Sequence, residues 1–118
     1  MIDSVIVEPT RSTKATVIWL HGLGASGHDF EPVLPLLGLD TSVIRFIFPN
    51  APQIPVTVNG GVMMPAWYDI VHVDIDRTID LAGIRASADR VDAIIQSQIE
   101  IACQEIKDTV IHELWPDM

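Results

Sequence analysis

An apolar run that ends directly in a glycine-rich loop is the feature that most constrains the fold of this chain. Residues 15–20 have the sequence ATVIWL, which is almost continuously apolar without alternation and is typical of a strand covered on both faces. The next residues, 21–27, read HGLGASG, and their three glycines let the backbone turn tightly and approach a ligand closely. The pattern predicts a central strand of an α/β sheet with the loop at its C-terminal edge.

Two more strands and a short helical segment are predicted around this unit. Residues 4–7 form a short β-branched run before Pro9, which indicates an edge strand, and residues 42–48 (SVIRFIF) indicate a second buried strand. Between the buried strands, residues 29–37 place apolar side chains at helical spacing, but Pro32 and Pro35 limit a helix to one or two turns. We expect both buried strands to lie in one sheet that contains parallel pairing.

A hairpin and a long helix complete the predicted fold. Residues 49–62 contain three prolines and the pair Asn59-Gly60, which favours a small hairpin inside a long excursion. Apolar residues then recur at steps of three and four, the spacing of an amphipathic helix packed on a sheet. They are Ile84, Ala88, Val91, Ile95, Ile99, Ala102 and Ile106. The predicted class is α/β, with helices on both faces of the sheet and a long C-terminal helix, in one domain spanning residues 1–118.

The composition excludes several classes of partner and location. Seven basic and sixteen acidic side chains give a net charge of −9, which disfavours nucleic acid and anionic membrane surfaces. The single cysteine, Cys103, cannot form an internal disulfide and favours a reducing compartment, so we expect a cytoplasmic protein. The N-terminal residues have no signal-peptide pattern, and no apolar run approaches the roughly 20 residues that a membrane-spanning helix needs.

The glycine loop admits three interpretations. Residues 22–27 satisfy G-x-G-x-x-G, as in a dinucleotide-binding half-domain, but the following strand ends in Phe48-Pro49-Asn50 without the acid that holds a ribose. Alternatively, H-G-x-G after a buried strand is where α/β-hydrolases build half of an oxyanion hole, because a fixed backbone N–H stabilises the O⁻ of a tetrahedral intermediate. The third interpretation is a plain strand-to-helix turn around a packed histidine. The loop residues alone leave the second and third interpretations equally favoured.

Three blocks in a fixed order resemble one known family. Residues 17–30 (VIWLHGLGASGHDF), 45–61 (RFIFPNAPQIPVTVNGG) and 64–70 (MPAWYDI) are together similar to the carboxylesterase/phospholipase family of α/β-hydrolases, which contains the acyl-protein thioesterases. The resemblance implies the N-terminal half of that fold, a partial α/β-hydrolase sheet. It also implies hydrolysis of carboxylic esters or acyl thioesters, with a small ester or acyl compound as the substrate.

The resemblance further implies roles for particular residues of the loop and the segment after the hairpin. The backbone N–H of Leu23 would be an oxyanion donor, in a loop shaped by His21, Gly22 and Gly24. Two side chains, Met64 and Trp67, would lie beside the acyl-binding cleft. Without the resemblance, Trp67 would be interpreted as an ordinary core residue.

The sequence departs from this family where the nucleophile is expected. In the family, the long helix is followed by a central strand and a GFSQGG elbow with the catalytic serine, and the aspartate and histidine come later; none of these segments is present here. Ser26 has glycines close by but misses the G-x-S-x-G spacing, so it is interpreted as a loop or capping residue. Because triad members act as a unit, we expect no native-level esterase activity from this polypeptide alone.

Other reactive side chains are assigned structural roles. His72, Asp74 and Asp76 would face one way on an extended segment, but three such residues are better explained as a solvated acidic loop. No metal and no cofactor are therefore predicted. We expect His21 to be a hydrogen-bonded residue that shapes the loop rather than a general base.

Three residues on other segments complete the set of candidates. His28 and His112 have no visible partner in the sequence. Cys103 lies among helical apolar positions without a motif, which predicts a small packed side chain rather than a reactive thiol.

Three functional hypotheses follow from these observations. The chain is part of a hydrolase, or a non-catalytic interaction module on a hydrolase scaffold, or a nucleotide-binding half-domain. Half of a hydrolase sheet leaves a strand edge and apolar faces open, and the apolar pattern of the helix continues through Val110 and Leu114. We therefore expect the chain to pair with a second copy of itself or with a complementary fragment.

Overall fold

The computed structural model describes residues 2–71 and 79–114, which form five short strands and one long helix. Three 3₁₀ helices, at Glu31–Leu36, Thr41–Val43 and Thr57–Asn59, connect them. In chain order, the elements are β1 (Ser4–Val7), β2 (Ala15–Ile18), β3 (Ile44–Pro49), β4 (Gln53–Val56), β5 (Val62–Pro65) and α1 (Leu81–Leu114).

Three strands form a mixed sheet in the order β1-β3-β2. β2 pairs parallel with β3, with Val17 opposite Phe46, and β1 pairs antiparallel with β3. The predicted parallel pairing of the two buried strands and the edge position of β1 are confirmed. The prediction that residues 15–20 form a central strand is wrong for the described residues: β3 is central, and β2 is an edge strand that ends at Ile18. Its side chains are partly exposed because nothing pairs with its second edge within the described part of the chain.

One face of the sheet packs against the 3₁₀ helix at Glu31–Leu36. The core of this face is formed by Leu34, Phe46 and Phe48. Trp19 stacks on Phe30, with ring centroids 4.9 Å apart, and so ties the end of β2 to this helix. The short helical segment expected between the buried strands is confirmed, and a proline near its start and another inside it keep it at six residues.

The other face of the sheet carries α1. Arg45 on β3 links this helix to the sheet: its Nη1 donates to Oε1 of Gln98 at 3.3 Å, and its Nε donates to Oε2 of Glu8 at 3.0 Å. Helices therefore lie on both faces of the sheet, and the predicted α/β class with a long C-terminal helix is confirmed.

α1 begins three residues earlier than its apolar pattern indicates, because Asp80 caps it. One carboxylate oxygen of Asp80 accepts the N–H of Gly83 at 3.0 Å, which satisfies a free donor of the first turn. The other oxygen accepts the N–H of Asp69 at 2.8 Å. The cap therefore fixes the start of the helix to the segment that follows β5.

The line along which α1 contacts the sheet differs from the predicted stripe. The most buried positions of the helix are Ser87 and Ile94, whereas Ile95, Ile99 and Ile106 of the predicted stripe are 40%, 49% and 64% exposed. From residue 101 to 114 every position is exposed, because a 34-residue helix of about 51 Å extends past strands of at most six residues, or about 20 Å. α1 is nevertheless too polar to cross a membrane, and no other helix of the described residues is long and apolar enough to do so.

The predicted hairpin is confirmed and extends to Pro65. β4 and β5 pair antiparallel, with Val56 opposite Val62, and the turn uses Gly60 and Gly61 at φ of +69° and +78°. The carboxylate of Asp69 holds this turn, since it accepts the N–H of Thr57 at 2.8 Å and its hydroxyl at 2.6 Å. These bonds, the hydroxyl first, lower the pKa of Asp69 below its usual value of 3.8.

The lowered pKa of Asp69 predicts a pH-dependent contribution to stability. The folded state favours the carboxylate, so the stabilisation is present above the unfolded-state pKa of about 4 and is lost as pH falls through the lower folded-state pKa. Asp69→Asn should therefore lower the urea midpoint most at neutral pH, and the difference from the parent chain should shrink below about pH 4. Thr57→Val, which removes the hydroxyl donor, should lose part of the same pH dependence. A constant difference between Asp69→Asn and the parent from pH 7 to pH 3 would contradict this assignment.

Close packing of the loop on β3 predicts a sharp difference between two glycines. A Cβ on Gly27 would lie 2.5 Å from the carbonyl oxygen of Phe48, which is backbone and cannot yield easily, whereas a Cβ on Gly22 meets nothing within 4 Å. Gly27→Ala should lower the free energy of unfolding by about 1–3 kcal/mol. Gly22→Ala, the matched control, should change it by no more than about 0.5 kcal/mol. Urea denaturation measures both values, and equal midpoints for the two variants would show that the loop does not pack as described.

Candidate functional site

The glycine loop leaves β2 at the C-terminal edge of the sheet and turns immediately. The N–H of Ala25 donates to the carbonyl of Gly22 at 3.2 Å, which closes a β-turn. Gly24 has φ of +73°, the value that the third residue of a type II turn requires and that glycine adopts without strain. Further along, the N–H of Gly27 donates to Oδ1 of Asn50 at 2.7 Å. The loop is therefore held against the segment that follows the neighbouring parallel strand.

His21 is buried, 3% exposed, and both of its ring nitrogens are engaged. Nε2 accepts the backbone N–H of Ala51 at 3.0 Å, so this nitrogen carries no proton. Nδ1 then carries the hydrogen and donates to the carbonyl of Gly22 at 2.7 Å. The ring is thus a neutral imidazole that joins the loop to the end of β3. Neither nitrogen is available to take a proton from a substrate in this arrangement.

The backbone N–H of Leu23 is a donor of the loop that the turn leaves unused. Leu23 occupies the second position of the β-turn, whose N–H the turn does not use, while the N–H of Gly24 donates to the carbonyl of Pro65 at 2.9 Å. Among the residues that the structure describes, the Leu23 N–H has no acceptor. The glycines on either side leave the approach to this N–H clear, since a Cβ at Gly22 or Gly24 would meet nothing within 4 Å. A fixed donor of this kind can stabilise a negatively charged oxygen.

Trp67 connects the loop to α1. Its indole Nε1–H donates to the carbonyl of His21 at 2.8 Å, and its ring centroid lies 5.3 Å from that of His21. The carbonyl of Trp67 in turn accepts the hydroxyl of Ser87, which is buried on α1. The structure therefore brings Trp67 directly against the loop that the sequence identified.

Met64 is close to the loop because its neighbour in sequence is bonded to the loop, not because its own side chain contacts it. It precedes Pro65, whose carbonyl accepts the Gly24 N–H, and it is partly buried. Its sulfur lies 3.5 Å from Nδ2 of Asn59 in the hairpin turn. The structure thus places Met64 at the border of the site, with its sulfur turned towards the hairpin.

Several residues that build the site were missed by sequence reasoning. Ala51 and Pro65 act through backbone groups, which no side-chain pattern reveals. Asn50 lacks the carboxylate that a ribose site requires, but its amide oxygen accepts the Gly27 N–H. Ser87 had a detectable signal, since it is a hydroxyl one turn after Ile84 and on the same face of α1.

Two further candidate residues, Ser26 and His28, contact neighbouring carboxylates. Ser26 is a loop residue, and its N–H and hydroxyl both donate to the carboxylate of Asp29, at 3.0 and 3.3 Å. His28 does have a partner, since its Nδ1 lies 2.6 Å from Oε1 of Glu31 on the exposed surface. The predicted metal-type residues His72, Asp74 and Asp76 fall outside the described residues.

Two residues of α1 complete this comparison. His112 lies in the last turn of the helix. Cys103 is exposed, so the prediction of a packed side chain is wrong. The reason is that this part of the helix extends past the sheet that would have covered it.

The geometry does not favour a dinucleotide site. A pyrophosphate binds at the N-terminus of an α-helix that follows the glycine loop. Here the loop leads into a 3₁₀ helix of six residues, Glu31–Leu36, which is capped by no side chain. The loop therefore offers backbone N–H groups at a sheet edge rather than the N-terminus of a long helix.

Sequence comparisons with known proteins agree on one family. Residues 1–112 match the profile of the phospholipase/carboxylesterase family. Acyl-protein thioesterase 1 of Schizosaccharomyces pombe is 42% identical over 100 residues, which cover 85% of this chain and 44% of that protein. Acyl-protein thioesterase 1 of Cryptococcus neoformans var. neoformans serotype D is 39% identical over 102 residues, which cover 84% of this chain and 43% of that protein.

Solved structures show the same relationship. Acyl-protein thioesterase 2 of Zea mays superposes with a TM-score of 0.72 at 35% identity, over 81% of this chain and 41% of that chain. SOBER1 of Arabidopsis thaliana superposes with a TM-score of 0.66 at 34% identity, over 73% of this chain and 42% of that chain. The chain thus spans less than half the length of each of these relatives. On the profile, the identities and the shared fold together, this chain belongs to the phospholipase/carboxylesterase family of α/β-hydrolases.

Proposed function

We propose that this chain supplies the oxyanion-binding half of a hydrolase for carboxylic esters or acyl thioesters. The observation that carries the proposal is the unoccupied N–H of Leu23 in a turn that directly follows a parallel strand. In ester or thioester hydrolysis, this N–H stabilises the negative oxygen of the tetrahedral intermediate. His21, Gly22 and Gly24 are proposed to hold the turn in the geometry that this oxygen requires.

The substrate side of the proposal rests on the residues next to the loop. Trp67 and Met64 lie on the segment whose Pro65 carbonyl is bonded to the loop, so an acyl group bound beside them would place its carbonyl near the Leu23 N–H. The relatives from S. pombe and C. neoformans are acyl-protein thioesterases, which supports a small ester or acyl thioester as the substrate class. No cofactor is required for this chemistry.

The 118 residues are proposed to be inactive by themselves. The hydroxyl of Ser26 donates to Asp29, and this serine has no histidine base bonded to it among the described residues. We propose that the chain is one cytoplasmic domain spanning residues 1–118, and that it acts with a partner, either a second copy or a complementary fragment. A complementary fragment, unlike a second copy, would supply the nucleophile.

A non-catalytic interaction module is the second candidate. It is favoured by the large exposed apolar side chains along α1, which exceed the scattered apolar exposure of an ordinary surface. In that function the glycine loop has only a structural role, and the exposed apolar face of α1 binds the partner. The two candidates differ in whether the Leu23 N–H has any effect on a reaction.

The chain alone provides the first test. We expect no turnover of p-nitrophenyl acetate above a variant that lacks all serines, and no labelling by a fluorophosphonate probe, because no serine is activated by a base. S. pombe acyl-protein thioesterase 1, assayed in parallel, is the positive control. Stoichiometric labelling of any one serine in this chain, with Ser26 examined first, would overturn the proposed inactivity.

A chimera tests the oxyanion role directly. This chain replaces the matched 100 residues of the S. pombe protein, and Leu23 is changed to Pro, which removes the N–H yet suits the second position of a type II turn. We expect kcat/KM to fall by about 100- to 1,000-fold in Leu23→Pro. Leu23→Ala keeps the N–H and should stay within about tenfold of the parent chimera. Equal activities for the two variants, at equal urea midpoints, would remove the oxyanion role and favour the interaction module.

A further inference from the structure

The peptide unit that carries the Leu23 N–H also carries the carbonyl of Gly22. A trans peptide unit is planar, and its C=O and N–H point in opposite directions, so a bond that holds the carbonyl also fixes the direction of the N–H. The Gly22 carbonyl accepts the Nδ1–H of His21 at 2.7 Å and the N–H of Ala25 at 3.2 Å. The direction of the Leu23 N–H is therefore set from the carbonyl side of its own peptide unit.

The preceding peptide unit is held by Trp67. The carbonyl of His21 accepts the indole Nε1–H of Trp67 at 2.8 Å. Gly22 joins the two peptide units, and because it has no Cβ, its backbone restricts their relative rotation less than another residue would. The indole bond supplies that restriction from outside the loop. It also fixes the backbone from which the His21 imidazole reaches the Gly22 carbonyl.

The segment of residues 65–67 contacts the turn on both sides of Leu23. The indole of Trp67 bonds on the N-terminal side of the turn. On the C-terminal side, the carbonyl of Pro65 accepts the N–H of Gly24 at 2.9 Å. A shift of this segment relative to the sheet would therefore disturb the turn at two points, which flank the Leu23 N–H.

Ser87 holds this segment to α1. It is 7% exposed, and its hydroxyl donates to the carbonyl of Trp67, 20 residues away in the chain. A serine hydroxyl on a helix commonly bonds back to a carbonyl of its own helix, as Ser97 does with the carbonyl of Ile94 at 2.9 Å. The hydroxyl of Ser87 is instead directed at the segment that contacts the turn.

We propose that Ser87 and Trp67 are positioning residues for the Leu23 N–H. The Ser87 hydroxyl holds Trp67, and the indole of Trp67 holds the peptide unit that leads into the turn. The inference rests on the proposed function, in which the Leu23 N–H stabilises the negative oxygen of the tetrahedral intermediate. It adds to the substrate-side role of Trp67, and it gives Ser87 a role that acts entirely through Trp67.

NMR spectra of the full 118-residue chain test the positioning without any reaction. Ser87→Ala should speed solvent exchange of the Trp67 indole N–H by about 2- to 10-fold and should shift the amide signal of Leu23. Trp67→Phe keeps an aromatic ring and removes the N–H, so it identifies the indole signal by its loss and should also shift the Leu23 amide. Ser97→Ala, whose hydroxyl bonds to α1 itself, should leave both signals unchanged. Equal responses to Ser87→Ala and Ser97→Ala would overturn the proposal.

The chimera with the S. pombe protein tests the effect on the reaction. Ser87→Ala should lower kcat by about tenfold and leave KM within about twofold, because a misdirected donor stabilises the transition state less without changing substrate binding. Ser97→Ala should keep both values within about twofold. In the Leu23→Pro background, Ser87→Ala should lower kcat by less than about twofold, because no donor is left to position. An equal loss in both backgrounds would show a general structural role and would overturn the proposal.

The remaining outcomes separate this inference from the proposed function. If Leu23→Pro lowers kcat/KM but Ser87→Ala does not, the proposed function stands and the positioning role is overturned. If Leu23→Pro leaves kcat/KM unchanged while Ser87→Ala still shifts the Leu23 amide signal, the connection from Ser87 to the turn is supported and the proposed function is overturned. If Ser87→Ala leaves the Leu23 amide signal in place, the positioning role is overturned whatever the activity of the chimera.

Discussion

The parallel pairing of β2 with β3 is the constraint on which the site depends. It ends both strands at the same edge of the sheet, so the loop after β2 and the segment after β3 leave side by side. The Ala51 N–H can then reach Nε2 of His21, and the Asn50 side chain can reach the Gly27 N–H. An antiparallel pair would have placed these two segments at opposite ends of the sheet. The geometry of the turn around Leu23 is thus a consequence of strand direction.

The sequence predicts those parts of the fold that depend on local signals. β1, β3, the short 3₁₀ segment and the hairpin each follow from β-branched runs, prolines or an Asn-Gly pair within a few residues. Of the candidate site, the sequence predicts the position of the glycine loop but not the groups that hold it in place. The Gly27 N–H is bonded to an amide side chain 23 residues away, and the His21 ring is bonded to a backbone N–H 30 residues away. No local pattern specifies such distant partners.

The face of α1 that packs on the sheet could not be predicted from the sequence for a different reason. Isoleucines occupy both position 94 and position 95, so two helical phases offer an apolar line of similar quality. The observed phase is fixed by the Ser87 bond to Trp67 and the Arg45 bond to Gln98, which join residues 20 and 53 positions apart. The Asp80 cap adds a bond between the start of α1 and Asp69. The stripe that the periodicity favours is left partly exposed beside the open edge of β2. The open edge of β2 and the exposed isoleucines of α1 line the same cavity.

Hydrogen bonds connect α1 to the glycine loop through Trp67 and His21. The Ser87 hydroxyl holds the carbonyl of Trp67, the indole N–H of Trp67 holds the carbonyl of His21, and the ring of His21 holds both Gly22 and Ala51. Each such bond contributes about 0.5–1.5 kcal/mol net, so a shift of the helix that broke one of them would carry a cost comparable to a tenfold change in an equilibrium. Trp67 also lines, with Leu20 and Ile95, a cavity of about 510 Å³ beside α1. The packing of α1 on the sheet and the geometry of the free N–H therefore depend on each other, because Trp67 is bonded to both.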